Sequence, residues 1–401
     1  MSLCCVLGLG YIGLPTSILL SSTGHKVVGV DINKNVVEKI NKGILHIKEP
    51  NLNKDLIKEI KKGNLTASEV PVKAEIYIIA VPTPFFLKED FIPQPNIKYV
   101  ENAVKSILPF LTKGNLVILE STSPIGTTKK VAKMIYENNQ FSEKDIFIAY
   151  CPERVLPGNI LHELVHNDRV IGGINEESSK RAADYYQTFC KGNLIETNSE
   201  TAELVKLSEN AYRDVNIAFA NELSIVAEKF EIDINEMISI ANHHPRVDIL
   251  KPGCGVGGHC IAVDPWFIAS SAPKETTLIQ TARLVNNKKV DWVINKIKDL
   301  VFKNKFLKEE ITIGIFGIAY KPNIDDLRES PALKIALELK NQGYNVIVCE
   351  PNIQTHESLE IKDLDEVLEK SFLSVFLVLH DEFKNLDLKD KNILDLCGVK
   401  S

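Results

Sequence analysis

The sequence lacks an excess of charge of either sign. Its 401 residues include 47 Lys and Arg against 53 Asp and Glu, a net charge of −6. This balance argues against nucleic acid as a partner, and the lack of a Lys/Arg cluster argues against a membrane surface. The apolar share of 44% and the charged share of 25% exclude a disordered chain. We expect two or three domains of roughly 150 residues each.

Cysteine is sparse as well. Eight cysteines in this length are far fewer than a disulfide scaffold carries. Residues 1–25 lack Asp, Glu, Lys and Arg, as signal peptides and membrane helices can. However, no basic segment precedes the apolar stretch, and four glycines and a proline interrupt it, unlike a bilayer-spanning helix. We therefore expect reduced thiols and a cytoplasmic location.

Short apolar segments alternate with amphipathic ones in the first half of the chain. Strands are predicted at 3–8, 27–31, 75–81, 116–120, 146–149 and 168–172, with helices between them that include 34–42 and 127–138. This alternation predicts a parallel sheet with helices on both faces. Six such strands suffice for a complete doubly wound dinucleotide-binding domain.

A long helix is predicted in the middle of the chain. Residues 200–230 contain no Gly or Pro, and apolar side chains recur there at spacings of three and four. Ser199 is the expected N-cap. A helix of about 30 residues spans roughly 45 Å, so we expect it to join two domains and to pack against a second subunit. Packing within its own chain is the alternative.

The last third returns to an α/β pattern, with strands predicted at 311–316, 344–349, 373–379 and 392–395. It echoes the first third, because CCVLGLGYIG at 4–13 resembles ITIGIFGIAY at 311–320, and VVGVDIN at 27–33 resembles VIVCEPN at 346–352. We predict an α/β fold of two doubly wound Rossmann-like domains joined by a long central helix. The expected domains are 1–198, 199–285 and 286–401.

The first glycine cluster predicts cofactor binding. Gly8, Gly10 and Gly13 form a GxGxxG between an apolar strand and an apolar helix. Such glycines allow a tight turn, approach of a pyrophosphate and close helix–strand packing. Asp31 ends the next strand, where a carboxylate bonds a ribose 2′-OH and repels a 2′-phosphate. The pattern therefore predicts NAD; a glycine turn made only for packing is the alternative.

Polar segments follow three other predicted strands. They are VPTP at 81–84, ESTSP at 120–124 and CPER at 151–154. Ligands of open α/β sheets bind beyond the carboxyl ends of the strands. Thr83 and Thr122 are therefore candidates for the nicotinamide ribose side, and Glu153 is expected near the same edge. Ser/Thr/Pro clusters also make ordinary turns.

A second glycine cluster offers a nucleophile. GCGVGGHCIAVDP at 253–265 contains Cys260, which can attack a carbonyl if a cation such as Lys206 stabilises its thiolate. Lys206 and Asn210 share a face of the long helix, where they could hold an oxyanion or simply meet solvent. Asp264 could be only a helix N-cap before Pro265. Zinc on Cys254, His259 and Cys260 with His243 or His244 is a rival, although this spacing fits no common site.

Together, these segments resemble the UDP-glucose/GDP-mannose dehydrogenase family over essentially the whole chain. The matching segments are 8–15, 81–84, 120–128, 151–158, 206–223, 255–265 and GIAYKPNIDDLRESP at 317–331. The resemblance implies a four-electron, NAD-dependent oxidation of a nucleotide-sugar C6 alcohol to a carboxylate. It also implies a UDP-N-acetylhexosamine substrate, with UDP-N-acetyl-D-mannosamine expected. Cys151 and Cys254 stand where such members commonly have Ala and Pro.

The resemblance further implies residue roles. Cys260 would form a thiohemiacetal and then a thioester, with Lys206 stabilising the oxyanion. Asn210 would hold a water or sugar oxygen, Asp264 would orient the water, and Glu153 would act as acid or base. The remaining expected contacts are Tyr11, Ile12 and Arg328 with the cofactor, Arg154, Gly257 and Lys321 with the substrate, and Arg246 with the substrate of a neighbouring subunit. A homodimer or homotetramer and no metal are expected.

Three alternatives remain at this stage. One keeps the chemistry but acts on UDP-N-acetylglucosamine, UDP-glucose or GDP-mannose. Another is a one-step NAD-dependent hydroxyacid dehydrogenase, and the third is a non-catalytic nucleotide-sugar-binding protein. Neither of the last two needs Cys260, so that residue discriminates between them and the family chemistry.

Overall fold

The computed structural model describes residues 2–47, 49, 52–86, 92–139, 141–155, 158–303, 311–389 and 391–400. Leu156 and Pro157, within the segment 151–158, lie outside the described residues. The chain forms two compact units, Met1–Ser208 and Glu209–Ser401. Within the described part, no helix is long and apolar enough to cross a membrane.

The first unit contains an eight-stranded sheet and a two-stranded ribbon. The sheet strands are β1 Leu3–Leu7, β2 Lys26–Val30, β3 Leu65–Ser68, β4 Ile76–Ile79, β7 Leu116–Leu119, β8 Phe147–Tyr150, β9 Arg169–Gly173 and β10 Leu194–Asn198, and the ribbon is β5 Phe85–Phe86 with β6 Gln94–Pro95. The helices are α1 Gly13–Ser22, α2 Lys34–Asn41, α3 Leu52–Lys61, α4 Lys98–Ile107, α5 Thr127–Asn139, α6 Ile160–His166 and α7 Glu176–Tyr186.

The strand order of this sheet is β10-β9-β8-β7-β4-β1-β2-β3. Reading from β3 to β8 gives the doubly wound dinucleotide-binding order, with its switch point between β1 and β4. The central strands β4, β7 and β8 are buried along their whole length, as expected where helices cover both faces. The six predicted strands are confirmed, with ends shifted by one or two residues.

The prediction of an all-parallel sheet is wrong at one position. Strand β9 pairs antiparallel with β8, with Tyr150 opposite Gly172, and β10 runs parallel to β9. The edge strands β3 and β10 were not predicted. Both are only partly buried, so neither carries the apolar pattern of a central strand.

The second unit contains a five-stranded parallel sheet of order β13-β12-β11-β14-β15. Its strands are β11 Thr312–Phe316, β12 Asn345–Cys349, β13 Glu360–Ile361, β14 Leu373–Phe376 and β15 Ile393–Asp395. The order repeats that of the first sheet, so the predicted second Rossmann-like fold is confirmed. The helices are α9 Ile234–Ala241, α10 Asp264–Ser271, α11 Thr277–Lys303, α12 Pro331–Asn341 and α13 Leu364–Lys370.

The predicted long helix is α8, Ser199–Lys229, with 31 residues. It begins in the first unit and ends in the second. The N-cap prediction is wrong by one residue, because Asn198 Oδ1 accepts the backbone N–H of Thr201 at 2.8 Å. Ser199 lies inside the helix, and its hydroxyl donates to Glu200 Oε2.

Candidate functional site

The first glycine cluster makes a tight turn at the switch point. The Gly8 N–H donates to the Val30 carbonyl at 2.8 Å, and its φ of 92° favours glycine. A Cβ on Gly13 would lie 1.8 Å from the Gly8 carbonyl oxygen, whereas one on Gly10 would meet nothing within 4 Å. The turn therefore needs two glycines for its own packing, and Gly10 leaves room for a phosphate.

Asp31 closes the same turn. Its Oδ2 accepts the Leu9 N–H at 3.1 Å, and its Oδ1 accepts the Asn33 N–H at 2.9 Å. Each carboxylate oxygen keeps a further lone pair for an incoming hydroxyl. Tyr11 and Ile12 lie between the glycines, and Ile12 occupies the N-cap position of α1. This arrangement fits the adenosine ribose and pyrophosphate of NAD.

The loops after β4 and β7 are tied to each other. Thr83 Oγ1 donates to the Thr122 carbonyl at 2.6 Å, and Ser121 Oγ donates to the Val81 carbonyl at 2.8 Å. The structure thus brings Thr83 and Thr122 together, as predicted. Their contact with the nicotinamide ribose stays a prediction.

Glu203 also organises the loop after β7, and its role was missed. Its carboxylate accepts the Gly126 N–H at 2.6 Å, the Thr128 N–H at 2.8 Å and the Thr128 hydroxyl at 2.7 Å. Burial raises the pKa of Glu203. In the sequence, Glu203 is only an acid one turn before Lys206, and this position does not reveal partners that lie 75 and 77 residues away.

The reversal of β9 places a cation beside Glu153. Arg169 opens β9, and its Nη2 donates to Glu153 Oε2 at 2.9 Å, with both side chains buried. Glu153 Oε1 accepts the Arg154 backbone N–H, and the Arg154 guanidinium donates to the Asp168 carbonyl. Arg169 therefore holds the Glu153 side chain at the predicted edge. Arg169 was missed because its contact depends on the antiparallel register.

A second carboxyl group lies in this cluster. Glu120 accepts the Tyr186 hydroxyl at 2.7 Å and that of Thr16 at 3.5 Å. Burial, reinforced by the charge of Glu153, raises the pKa of Glu120 to about 7. Burial likewise raises the pKa of Cys151 to about 12, so Cys151 is a packing residue and not a nucleophile.

Lys206 does not lie on a solvated face. Lys206 is only 8% exposed, which argues against the alternative that its side chain simply meets solvent. A buried ammonium group requires a polar partner or ligand, so its burial suits the predicted oxyanion role.

In the second unit, the glycine-rich segment packs against residues 320–331. The Gly258 N–H donates to the Arg328 carbonyl at 3.0 Å. A Cβ on Gly257 would lie 2.5 Å from the Glu329 carbonyl oxygen, and one on Gly258 would lie 2.8 Å from the Tyr320 ring. These glycines are thus required for contact with residues 320–331. Substrate contact at Gly257 stays a prediction.

Asn210 and Asp264 meet directly. Asn210 Nδ2 donates to Asp264 Oδ2 at 2.6 Å, although 54 residues separate them. Asp264 is the first residue of α10, and Val263 takes the N-cap position without a side-chain cap bond. The alternative that Asp264 merely caps its helix is therefore wrong. Asn210 and Asp264 together form one polar site, and Asp264 lies four residues after Cys260 in the sequence.

Exposure and pKa together favour Cys260 over the other cysteines. All eight are free, six are buried, and only Cys260 and Cys397 are partly exposed. Burial, with Asp395 nearby, raises the pKa of Cys397, which disfavours its thiolate. Cys254 is buried in the core, and its Sγ lies 3.9 Å from the Leu377 carbonyl. Across the described ranges, no group of three His, Cys, Asp or Glu residues could hold a metal, so the zinc alternative has no support.

The remaining predicted residues lie on exposed or half-buried segments of the second unit. Arg328 pairs with Asp326, Nη2 to Oδ2 at 2.6 Å, and Asp326 raises the pKa of Arg328. Lys321 Nζ lies 5.9 Å from the centre of the Tyr320 ring. Arg246 is exposed after α9. Their cofactor and substrate contacts stay predictions.

The second Rossmann-like turn repeats the first but is closed by its own acid. The Gly317 N–H donates to the Cys349 carbonyl at 2.9 Å, with a φ of 84°. Glu350 Oε2 accepts the N–H groups of Ile318 and Ala319 and lies 3.1 Å from His380 Nε2. Because Glu350 is 3% exposed, it cannot bond a ribose as Asp31 can. At this turn, the sequence repeat therefore reflects a repeated structure.

Three family models match the chain. The UDP-glucose/GDP-mannose dehydrogenase NAD binding domain matches residues 2–190, the central domain of the same family matches 200–288, and its UDP binding domain matches 314–399.

Similar proteins of known name cover nearly the full length. The UDP-N-acetyl-D-mannosamine dehydrogenase of Campylobacter jejuni is 47% identical over 411 residues, with 98% of each chain covered. The enzyme of that name from Escherichia coli K12 is 48% identical over 416 residues, again with 98% of each covered. An NDP-N-acetyl-D-galactosaminuronic acid dehydrogenase of Ralstonia nicotianae is 44% identical over 412 residues, covering 99% of this chain and 96% of the relative.

Solved structures agree with these matches. UDP-D-ManNAc dehydrogenase from Pyrococcus horikoshii is 38% identical with a TM-score of 0.92, over 99% of this chain and 96% of that one. UDP-N-acetyl-mannosamine dehydrogenase from Staphylococcus aureus is 42% identical with a TM-score of 0.90, over 99% and 95%.

Proposed function

Because the chain belongs to the UDP-glucose/GDP-mannose dehydrogenase family and is an NAD-dependent nucleotide-sugar dehydrogenase, we propose that it oxidises UDP-N-acetyl-D-mannosamine. The product is UDP-N-acetyl-D-mannosaminuronate, in which a carboxylate replaces the C6 alcohol. The observation that carries the proposal is Cys260, a partly exposed thiol in a packed glycine-rich loop. A one-step dehydrogenase or a binding protein has no use for it.

The four-electron chemistry balances through Cys260. When bound, NAD⁺ accepts one hydride in each of two oxidations. The first oxidation converts the C6 alcohol to an aldehyde, and the Cys260 thiolate adds to it to form a thiohemiacetal. Loss of the second hydride gives a thioester, which water cleaves to the carboxylate and the free thiol. One alcohol, one water and two NAD⁺ thus give one carboxylate, two NADH and three protons.

The neighbouring residues are assigned roles that suit their surroundings. Lys206 stabilises the oxyanion of the tetrahedral species, for which its burial is appropriate. Asn210 and Asp264 share a hydrogen bond, and we assign them the ordered water or sugar oxygen. Glu153, which pairs with Arg169, accepts a proton from the attacking water. Arg154, Gly257, Lys321 and the neighbouring subunit's Arg246 complete the proposed substrate contacts.

The first unit supplies most of the proposed cofactor contacts. Gly8, Gly10, Tyr11, Ile12 and Gly13 supply the turn, and Asp31 receives the adenosine ribose. Thr83 and Thr122 are proposed for the nicotinamide side, with Arg328 as a further cofactor contact. We keep the proposed division into domains 1–198, 199–285 and 286–401.

A homodimer or homotetramer is proposed from the surface of α8. Tyr212, Phe219 and Val226 follow at intervals of seven residues, which places them on one face of α8, and each is at least 48% exposed. Contiguous apolar surface of this kind marks an interaction site. A second copy of this chain is the proposed occupant.

A cytoplasmic location is also proposed, in keeping with eight free cysteines.

The test is the yield of NADH from a limiting amount of sugar nucleotide. UDP-N-acetyl-D-mannosamine should give about two NADH per sugar, since each of the two oxidations transfers one hydride. UDP-N-acetylglucosamine, UDP-N-acetylgalactosamine and UDP-glucose, run in parallel, should react more slowly. About one NADH per sugar would contradict the thioester route. Two NADH from a different sugar would retain the route and change the substrate.

A further inference from the structure

Four polar side chains without a role in this chemistry are buried together in the second unit. Asp214 and Asn221 come from α8, Arg283 and Asn286 come from α11, and none is more than 3% exposed. Burying charged and amide groups is unfavourable unless they bond to each other. The four side chains therefore have to hydrogen-bond to one another. Their hydrogen bonds all run in one direction.

The hydrogen bonds form a directed chain. Arg283 Nη1 donates to Asp214 Oδ1 at 2.6 Å, and Asn286 Nδ2 donates to the same oxygen at 2.7 Å. Asn221 Nδ2 donates to Asn286 Oδ1 at 2.9 Å. The Gly253 backbone N–H donates to Asn221 Oδ1 at 2.9 Å.

Asp214 fixes the orientation of both amides. Asn286 Nδ2 donates both to Asp214 Oδ1 and to the Asp214 backbone carbonyl, so the NH₂ group of Asn286 faces Asp214. The carbonyl oxygen of Asn286 then faces the NH₂ group of Asn221. The Asn221 oxygen is left to face Gly253, whose backbone N–H it accepts.

Gly253 is where the chain enters the loop that carries Cys260. The next residue, Cys254, is buried in the core, and the Gly258 N–H is bonded to the Arg328 carbonyl. Cys260 follows two residues later, and its carbonyl accepts the Asp264 N–H at 2.8 Å. The entry bond and the Gly258 bond thus anchor the two ends of the glycine-rich segment.

We propose that Asn221 is a positioning residue, which fixes the Cys260 loop through a buried hydrogen-bond chain from Arg283 by way of Asp214 and Asn286. The proposal deepens the proposed function and rests on Cys260 as its nucleophile. Misplacing a reacting group by about 1 Å can cost about 100-fold in rate. Loss of the Asn221 bond is therefore expected to lower turnover without touching the substrate or cofactor.

Two substitutions at Asn221 separate positioning from stability. Asn221→Leu removes both bonds at similar size. Asn221→Asp keeps an oxygen that can accept the Gly253 N–H. Its second carboxylate oxygen faces Asn286 Oδ1, however, and the substitution buries another negative charge near Asp214. The Asp variant should therefore be the less stable of the two and yet the more active.

The experiment measures kcat, the KM for NAD⁺ and the urea unfolding midpoint of each purified variant. Asn221→Leu should lose about tenfold to 100-fold in kcat with an unchanged KM for NAD⁺, and Asn221→Asp should recover most of that loss. If kcat follows the unfolding midpoint across the two variants, the proposal is overturned.

Further variants keep the test decisive if the Asp variant does not fold. Asn286→Leu leaves Asn221 in place but frees its orientation, so kcat should fall by about threefold to tenfold. Val293→Ala truncates a fully buried core residue of the same helix, and Asn287→Ala removes an exposed partner of Arg283. Both should keep the wild-type kcat. A full kcat in Asn286→Leu overturns the proposal.

Failure of this inference can be told from failure of the proposed function. If Cys260→Ser is inactive while Asn221→Leu has the wild-type kcat, only the positioning role fails. If Cys260→Ser makes acid at the wild-type rate, the thioester route itself fails, and the positioning role fails with it.

Discussion

At the scale of single residues, burial decides which chemically capable groups can react. Eight cysteines carry the same thiol, but six are buried. Burial raises the pKa of Cys4 and Cys5 to about 11 and that of Cys349 to about 12, so these thiols stay protonated and unreactive. Cys260, in the glycine-rich loop, is partly exposed.

Cys260→Ser should abolish steady-state production of acid, by at least about 100-fold, since loss of a nucleophile commonly costs more than that. A serine hydroxyl is a poorer nucleophile than a thiolate, so the second oxidation should stall. Stopped-flow absorbance of NADH, with product acid measured chromatographically, checks this. Cys397→Ser is the matched control, since it alters the other partly exposed thiol. Undiminished acid from Cys260→Ser would remove the nucleophile role.

Two acids at equivalent positions of the two Rossmann-like folds show what a sequence pattern can and cannot predict. Asp31 and Glu350 each end the second strand of a Rossmann-like fold, and both bond the glycine turn. Asp31 is half-buried with lone pairs to spare, while Glu350 is buried against His380. The repeat could be predicted from sequence, but not which acid remains available.

At the scale of elements, strand direction places charged residues where spacing cannot. Arg169 meets Glu153 because β9 runs antiparallel to β8. The apolar pattern of β9 is the same in either direction, so the sequence predicted the strand correctly but its direction wrongly. The partner of Glu153 follows from that orientation.

The exposed face of α8 gives a prediction for assembly. Phe219→Glu places a charge in the middle of the apolar stripe, where burial against a second copy would leave it unpaired. The variant should be monomeric by light scattering at concentrations where the wild type is a dimer or tetramer. Leu278→Glu is the control, because it also changes an exposed apolar residue, 69% exposed, to an acid. Wild-type mass for Phe219→Glu would contradict an interface on this face.

At the scale of the whole molecule, the buried carboxyl of Glu120 should make stability depend on pH. Its pKa rises from 4.5 to about 7 in the fold. Between these values the folded state keeps a proton that the unfolded state has released. The resulting stabilisation is complete below about pH 4.5 and is lost as the pH rises through about 7.

Glu120→Gln removes this proton and its pH dependence. Relative to the variant, the wild type should lose about 3 kcal/mol of unfolding free energy across that window, as measured by urea unfolding with far-UV circular dichroism. Both tryptophans, Trp266 and Trp292, belong to the second unit, so their fluorescence follows that unit as an internal control. A difference that stays constant from about pH 5 to pH 8 would be inconsistent with a raised pKa.

The sequence by itself determined the Rossmann-like repeats, the long helix, the glycine turn with Asp31 and the segment that carries Cys260. Each is a local feature, because glycine conformation, strand alternation and helix periodicity act over a few residues. Only the tertiary structure decided that Lys206 is buried, that Arg169 pairs with Glu153 and that Asn221 reaches Gly253. These contacts join residues far apart in the chain, and their existence depends on strand direction and helix packing, which no local pattern records.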